Sequence, residues 1–224
     1  MGNAVSLDSL EALPRRIPIF PLAGALLLPR TQLPLNIFEP RYLTMINDAI
    51  AAHRMIGMTQ PIDDTMVHND KAPAVYGIGC AGRITSFAEI DDGRMLVTLT
   101  GVARFSVVRE LAVATPYRQV EADYSAFGDD LKLGHGEETV DRQQVLSTFR
   151  AYLDANGLKT DWNEVRAASN ELLVNSLSSI APFAVAEKQA LLEAPSLNAR
   201  AELLVALTEM TLKRADGGSL RRLQ

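Results

Sequence analysis

The sequence predicts an α+β protein in which a β-rich N-terminal half precedes a helical C-terminal half. Nine of the eleven prolines lie before residue 117, and proline breaks helix interiors but is tolerated at turns and strand edges. Short apolar or alternating segments separate these prolines, whereas the chain after residue 138 shows apolar residues at helical spacing. The predicted strands suit a small barrel or sandwich, and the predicted helices suit a four-helix bundle.

The first strands are defined by alternation or by short apolar runs. In Gln32–Ile37, the side chains of Leu33, Leu35 and Ile37 share one face, which is the pattern of a half-buried strand. Three more segments of this kind are predicted as strands: Arg16–Phe20, Met55–Thr59 and Val75–Ala88.

One helix interrupts the β-rich half, over Pro40–His53, because apolar residues recur there at helical spacing and Pro40 suits a first turn. The clearest hairpin joins Ile84–Ile90 to Arg94–Thr100 through Asp91-Asp92-Gly93, where glycine supplies the positive φ of a tight turn. The remaining strands are predicted over Val102–Leu111, beyond Gly101, and over Tyr117–Tyr124.

The helical half begins after a segment rich in glycine and aspartate, residues 125–138, which we predict to be a linker. A first helix ends at Asn156-Gly157, where glycine allows a left-handed cap, and a second runs from Asp161 to near Pro182. Two more are predicted over Ala184–Ala194 and Ser196–Arg214. The predicted organisation is thus a β-rich unit over 14–124, a helical bundle over 139–214, and flexible termini at 1–13 and 215–224.

Composition is that of an ordinary soluble globular protein, since 47% of the 224 residues are apolar and 22% are charged. The net charge of −5 includes no large surplus of lysine and arginine, so binding to nucleic acid through phosphate attraction is not expected. The lone Cys80 excludes an intramolecular disulfide and multi-cysteine metal sites, and it is compatible with a reducing cytoplasm. No apolar run reaches the roughly 18 residues of a membrane span, and we expect a cytoplasmic protein.

No motif carries a convincing catalytic, cofactor or metal site. Gly77, Gly79 and Gly82 match G-x-G-x-x-G, but a dinucleotide-binding loop must open a helix, and here a strand and a turn follow. Neither a phosphate-loop motif nor G-x-S-x-G occurs, and the histidines, His68 among them, form no H-E-x-x-H motif or i, i+4 pair. Paired aspartates such as Asp63-Asp64 lie beside turn residues, where carboxylates bond nearby amides. We predict no catalytic residues, no cofactor and no metal.

Several apolar and proline-containing segments occur together in a specific order. They are Ile17-Pro18-Ile19-Phe20-Pro21-Leu22, Leu33-Pro34-Leu35-Asn36-Ile37-Phe38-Glu39-Pro40-Arg41-Tyr42, Gly77-Ile78-Gly79-Cys80-Ala81-Gly82-Arg83-Ile84, Asp92-Gly93-Arg94, and Gly101-Val102-Ala103-Arg104-Phe105 with Pro116-Tyr117. In this order and spacing they resemble the Lon protease N-terminal (substrate-binding) domain. The resemblance covers about Pro14 to Tyr124, and the helices as far as Arg214 are similar to the helical extension of that family.

The fold that this resemblance implies is a six-stranded PUA-like β-barrel with one helix, followed by a helical bundle. Lon proteases continue into an ATPase module with a phosphate loop and a Ser–Lys protease module, and this sequence stops before either. The resemblance therefore implies a stand-alone, non-catalytic protein. We expect it to bind unfolded or exposed polypeptide segments, or to act as an adaptor for a partner protein.

A peptide-binding site needs apolar anchors and groups that hydrogen-bond an extended backbone. We predict this surface around the turn Glu39-Pro40-Arg41-Tyr42, and the predicted members are Glu39, Arg41, Tyr42, Arg83, Arg104 and Phe105. The alternative role is structural: Arg41 and Arg104 tie loops together through Glu39 or backbone carbonyls, and Phe105 belongs to the core.

Other classes of function stay open at this point. PUA-like barrels elsewhere bind RNA, although the pI of about 5.3 and the lack of a basic, aromatic-rich patch argue against it here. A small-molecule binder or enzyme could use a cleft between barrel and bundle, and a purely structural or assembly role is the last alternative. The sequence names no partner and no oligomeric state.

Overall fold

The computed structural model describes residues 9–62, 73–90 and 92–220, with side chains as far as residue 214. Its strands are β1 (Arg16–Pro21), β2 (Gln32–Ile37), β3 (Met55–Thr59), β4 (Ile78–Glu89), β5 (Met95–Glu110) and β6 (Gln119–Asp123). Its α-helices are α1 (Pro40–Ala51), α2 (Arg142–Ala155), α3 (Trp162–Ala167), α4 (Asn170–Ile180), α5 (Val185–Glu193) and α6 (Leu197–Leu220). Short 3-10 helices span Leu10–Ala12, Ser125–Leu131 and Glu137–Thr139. The predicted α+β class is confirmed.

All six strands belong to one sheet in the order β2-β5-β4-β3-β1-β6. Neighbours are antiparallel except β1 and β3, which pair in parallel. A further pairing joins β6 to the second half of β5, so that β5, β4, β3, β1 and β6 form a cycle of hydrogen-bonded neighbours. Strand β2 lies outside this cycle and pairs with the first half of β5.

Local patterns placed several elements correctly. The predicted bounds of β2 and β3 are those of the structure, and Leu35 and Ile37 are buried on one face of β2 as expected. Helix α1 begins at Pro40, where the missing N–H of proline costs no helical hydrogen bond. Strand β4 is shorter at its start than predicted, because Val75 forms only an isolated bridge with Pro61.

The predicted break between two strands at Gly101 is wrong, since β5 runs through it. A register shift occurs there, with Gly82 opposite Gly101 and Ala81 opposite Ala103. Gly101 is needed for close approach: a Cβ at this position would lie 2.0 Å from the carbonyl oxygen of Leu28. The glycine therefore marks a bulge and a backbone contact within one strand rather than its end.

The helical half contains five α-helices where four were predicted. The segment predicted as one helix from Asp161 to Pro182 is divided, because Ala168 and Ser169 are extended. The Ser169 hydroxyl accepts a hydrogen bond from the amide of Leu172 and so starts a new helix, α4. Helix α6 continues to Leu220, past the predicted boundary of the flexible C-terminus. No helix of the described residues is long and apolar enough to cross a membrane.

The two halves share one hydrophobic core. Leu27 and Leu28, which follow β1, belong to the same cluster of buried side chains as Leu173, Leu191 and Leu197 of the helical half. A second cluster surrounds Phe105 inside the sheet. The helices are therefore packed against the sheet and form a common interior with it.

Buried polar contacts also join the halves. The Lys188 ammonium donates to the carbonyl oxygen of Gly24 at 2.7 Å, and burial lowers the pKa of this lysine. The Asn175 amide donates to the carbonyl oxygen of Pro29 at 3.2 Å. These contacts satisfy backbone carbonyls in the loops that the helices cover.

Candidate functional site

The predicted turn lies on the surface at the start of α1. The Arg41 guanidinium binds the Glu39 carboxylate at 2.8 Å, and both side chains are about half exposed. Tyr42 is buried instead, and the centroid of its ring lies 4.2 Å from the centroid of the Phe20 ring. Burial raises the pKa of the Tyr42 hydroxyl. The turn therefore exposes an ion pair over a tyrosine that belongs to the core.

Arg83 lies away from this turn. It pairs with Met55 of β3 and Thr100 of β5. Thr100 in turn pairs with Gln32, so Arg83 lies in the same row of the sheet as the start of β2. The turn follows the other end of β2, about 17 Å away at 3.4 Å per residue. The structure does not bring Arg83 together with the turn.

Arg104 is buried at the junction of the two halves. Its guanidinium binds both carboxylate oxygens of Asp130, at 2.9 and 2.7 Å. The remaining nitrogen donates to the carbonyl oxygens of Leu192 and Ala194 at the end of α5. The side chain stacks 4.8 Å above the ring of Phe127. Arg104 therefore has the contacts of the structural alternative, in which it ties loops together through backbone carbonyls.

Phe105 is completely buried, at 0% exposure, within the second core cluster. Its ring fills the space beside Gly57 and Gly79, where an added Cβ would lie less than 3.0 Å from it. The glycine of the G-x-G-x-x-G match thus accommodates a core aromatic ring. Neither Phe105 nor Arg104 lies on a surface shared with Arg41.

An apolar groove lies in the helical half of the described chain. One face of α2, residues 158–160, the end of α4 with residues 181–183, and α6 line its volume of about 300 Å³. Phe149 and Leu153 of α2 and Leu204 of α6 are among its lining residues. Leu158 and Ile180 stand at the mouth, where they are 52% and 72% exposed. We call this surface the helical groove.

The helical groove offers apolar contact with little competing charge. Among the residues that the structure describes, Lys159 is the only charged side chain in its lining. The hydroxyl of Thr208, another lining residue, donates to the carbonyl oxygen of Leu204 in its own helix. Pockets of about this volume, mostly apolar with few polar groups, are typical of ligand sites. The groove suits aliphatic or aromatic side chains.

The helical bundle predicted from apolar spacing gave no indication of this groove. The available signal is the position of Leu158 and Ile180 at the ends of predicted helices, next to Asn156-Gly157 and Pro182. Ile180 follows Leu173 and Leu177 at helical spacing, so periodicity alone assigns it to the packed face of its helix. Their exposure became visible only once α2, α4 and α6 were placed together.

No group of three or more His, Cys, Asp or Glu side chains that could hold a metal ion occurs in the described ranges. Asp63-Asp64, His68 and Asp91 lie outside the described residues. Cys80 is fully buried, and burial raises the pKa of its thiol.

Comparison with curated proteins finds relatives among Lon proteases. The chain is 28% identical over 208 residues to the Lon protease of Flavobacterium johnsoniae, covering 85% of this chain and 23% of that protein. It is 26% identical over 207 residues to Lon protease 2 of Myxococcus xanthus, covering 88% of this chain and 24% of that protein. The chain therefore spans about a quarter of the length of the curated relatives it matches.

Solved structures share the fold. The Lon N-terminal domain protein of Xanthomonas campestris is 23% identical, with a TM-score of 0.57, and the match covers 85% of this chain and 97% of that one. The N-terminal domain of Mycobacterium avium complex Lon protease is 14% identical, with a TM-score of 0.64, covering 87% and 98%. The family model of the ATP-dependent protease La (LON) substrate-binding domain matches residues 16–209. The chain belongs to the Lon substrate-binding domain family.

Proposed function

We propose that this protein binds polypeptide segments that expose apolar side chains, and that it does so without cleaving them. The observation that carries the proposal is the helical groove, whose lining is apolar and whose mouth exposes Leu158 and Ile180. Burying apolar side chains of a partner there is favourable because it removes apolar surface of both chains from water. Membership of a substrate-binding family supports the same role.

We also propose how the chain is divided into units and where in the cell the protein acts. We propose that residues 14–124 form the barrel unit and 139–214 the helical unit, supported by the pairing of β6 with both β1 and β5. Residues 125–138 connect them, although Asp130 in this segment is buried against Arg104. We place the protein in the cytoplasm, where its single thiol stays reduced.

A fluorescence-anisotropy titration of a labelled, permanently unfolded polypeptide tests the binding. We expect saturable binding in the micromolar range, about −8 kcal/mol. Ile180→Asp should weaken binding about tenfold or more, because a bound apolar side chain would cover the new carboxylate at the mouth of the groove and remove part of its hydration. Leu133→Asp is the matched control, because Leu133 is 84% exposed and does not line the groove.

The same titration tests the surface predicted from the sequence. The exposed ion pair of Glu39 and Arg41, beside the 63% exposed Phe38, remains our proposal for a contact surface on the sheet half. Arg41→Ala is the suitable variant, because Tyr42 is a core residue whose truncation would destabilise the fold. A flat titration by the wild-type protein would exclude polypeptide binding. Equal affinities for wild type and Ile180→Asp would exclude the groove.

A further inference from the structure

One stretch of sheet edge is open in the described chain. Strand β3 pairs with β4 only over Cys80–Arg83, and the last backbone contact on that side is the Ile84 amide donating to the Arg54 carbonyl oxygen at 2.8 Å. From Thr85 to Glu89, β4 pairs with β5 alone, and all five residues are exposed. In the part of the chain that the structure describes, no strand pairs with this side. We call these five residues the β4 edge.

The direction of the free hydrogen-bonding groups follows from the hairpin. The Ile90 amide donates to the Arg94 carbonyl oxygen at 2.9 Å, so the backbone groups of Ile90 point toward β5. Because this direction alternates along an antiparallel strand, Ala88 also bonds toward β5. The N–H and C=O groups of Phe87 and Glu89 therefore point away from β5, toward the side on which no strand of the described residues lies. Two donors and two acceptors stand in a row along the β4 edge.

The β4 edge has few of the features that block strand addition. Edge strands are commonly protected by proline, lysine, a bulge or a covering element. Strand β2, at the end of the same sheet, carries Pro34 in its middle. The β4 edge contains neither proline nor lysine, and its bulge lies at its beginning, between Ile84 and Ser86.

The side chains at this edge select the occupant. Phe87 lies opposite Val97 and is 46% exposed, so an added strand would place a side chain beside its ring. Aromatic rings favour β-branched or aromatic residues as cross-strand neighbours. Glu89 is the only charged side chain among the five described residues of the edge, and it favours a basic flank on the incoming chain.

We propose that the β4 edge binds an extended polypeptide segment as an additional antiparallel or parallel strand, with β-branched or aromatic side chains beside Phe87. This inference rests on the proposed polypeptide binding and adds the conformation in which one part of the chain is held. Backbone hydrogen bonds to Phe87 and Glu89 supply affinity that depends little on sequence, whereas the ring of Phe87 supplies the preference. The helical groove would hold apolar side chains of a different part of the same substrate.

Amide hydrogen exchange followed by NMR tests the proposal on the wild-type chain. The probe is a synthetic peptide with five alternating threonine and valine residues between lysines. At saturation we expect exchange of the Phe87 and Glu89 amides to slow about tenfold or more. The amides of Ser86 and Ala88 already bond to β5 and should change little. Unchanged exchange at Phe87 and Glu89 with peptide bound, or no binding of the peptide, would overturn the proposal.

Two variants separate backbone from side-chain effects. Phe87→Pro removes the outward N–H and leaves the bonds of Ser86 and Ala88 to β5, so peptide affinity should fall about tenfold or more. Phe87→Val keeps the N–H and a strand-forming side chain but removes the ring, so its affinity should lie between that of wild type and that of Phe87→Pro. Equal affinities of Phe87→Pro and Phe87→Val would contradict strand addition.

The failure of this inference is distinguishable from failure of the proposed function. If the unfolded polypeptide binds and loses affinity with Ile180→Asp while the short peptide leaves Phe87 and Glu89 unprotected, the groove stands and the β4 edge is refuted. If these amides become protected as the protein is concentrated without peptide, the occupant is a second copy of this chain. That outcome also overturns the proposal.

Discussion

Removing the charge of Asp130 should destabilise the protein strongly, because it leaves the buried guanidinium of Arg104 without its counter-charge. Both side chains are only 8% exposed, and two hydrogen bonds of 2.7 and 2.9 Å join the guanidinium to the carboxylate. Breaking a buried pair by removing one partner costs about 3–5 kcal/mol. Since Asn keeps the size and one acceptor, we take about 3 kcal/mol for Asp130→Asn, which is about 6–12 °C in Tm at this chain length.

The assay is urea and thermal unfolding followed by circular dichroism. Asp129→Asn is the matched control, because the neighbouring carboxylate pairs with Lys132 and His135 on the surface and should show no measurable change in midpoint. The double variant Arg104→Met, Asp130→Asn removes both charges and should be more stable than Asp130→Asn alone.

Two results would refute this reasoning. The first is an Asp130→Asn midpoint equal to that of Asp129→Asn, which would mean that the Arg104 contacts contribute no net stability. The second is a double variant no more stable than Asp130→Asn. In that case the lost stability would come from packing at Asp130 rather than from an uncompensated charge on Arg104.

Two further predictions concern the backbone and the pH dependence of stability. Gly101→Ala should cost about 3 kcal/mol, because its Cβ would meet the Leu28 carbonyl oxygen; Gly77→Ala, with no neighbour within 4 Å, should have a far smaller effect in the same urea unfolding. Hydrogen bonds from the Ser169 side chain and the Glu171 amide lower the pKa of Glu137 below its ordinary 4.5. The stability it contributes is therefore present above that pH and is lost as pH falls through the folded-state pKa. Glu137→Gln should lower the urea midpoint near pH 7 and should lose less stability than wild type when the pH is lowered. A loss of stability on acidification as large as that of wild type would contradict this.

Local sequence determined the elements whose pattern depends on few neighbours. Alternation in Gln32–Ile37 and the proline at the start of α1 predicted β2 and α1 correctly, since strand faces and first helical turns are set by spacing and by the missing N–H of proline. The ordered motifs from Ile17 to Tyr117 also indicated the family that the family model matches. The same local signals placed a strand end at Gly101, where the structure continues β5.

Tertiary structure alone decided which side chains are available to a partner. Arginine is usually a surface residue, but Arg104 is enclosed by distant parts of the chain. Its partners are Asp130, 26 positions away, and the end of α5, about 90 positions away. The helical groove exists because α2, α4 and α6 come together around it and leave Ile180 exposed. The β4 edge exists because β3 begins at Met55, which pairs with Arg83, so that β4 continues beyond β3. Whether a side chain is buried depends on contacts from distant parts of the chain. Periodicity and composition therefore specify the strands and helices but not which of their side chains are exposed.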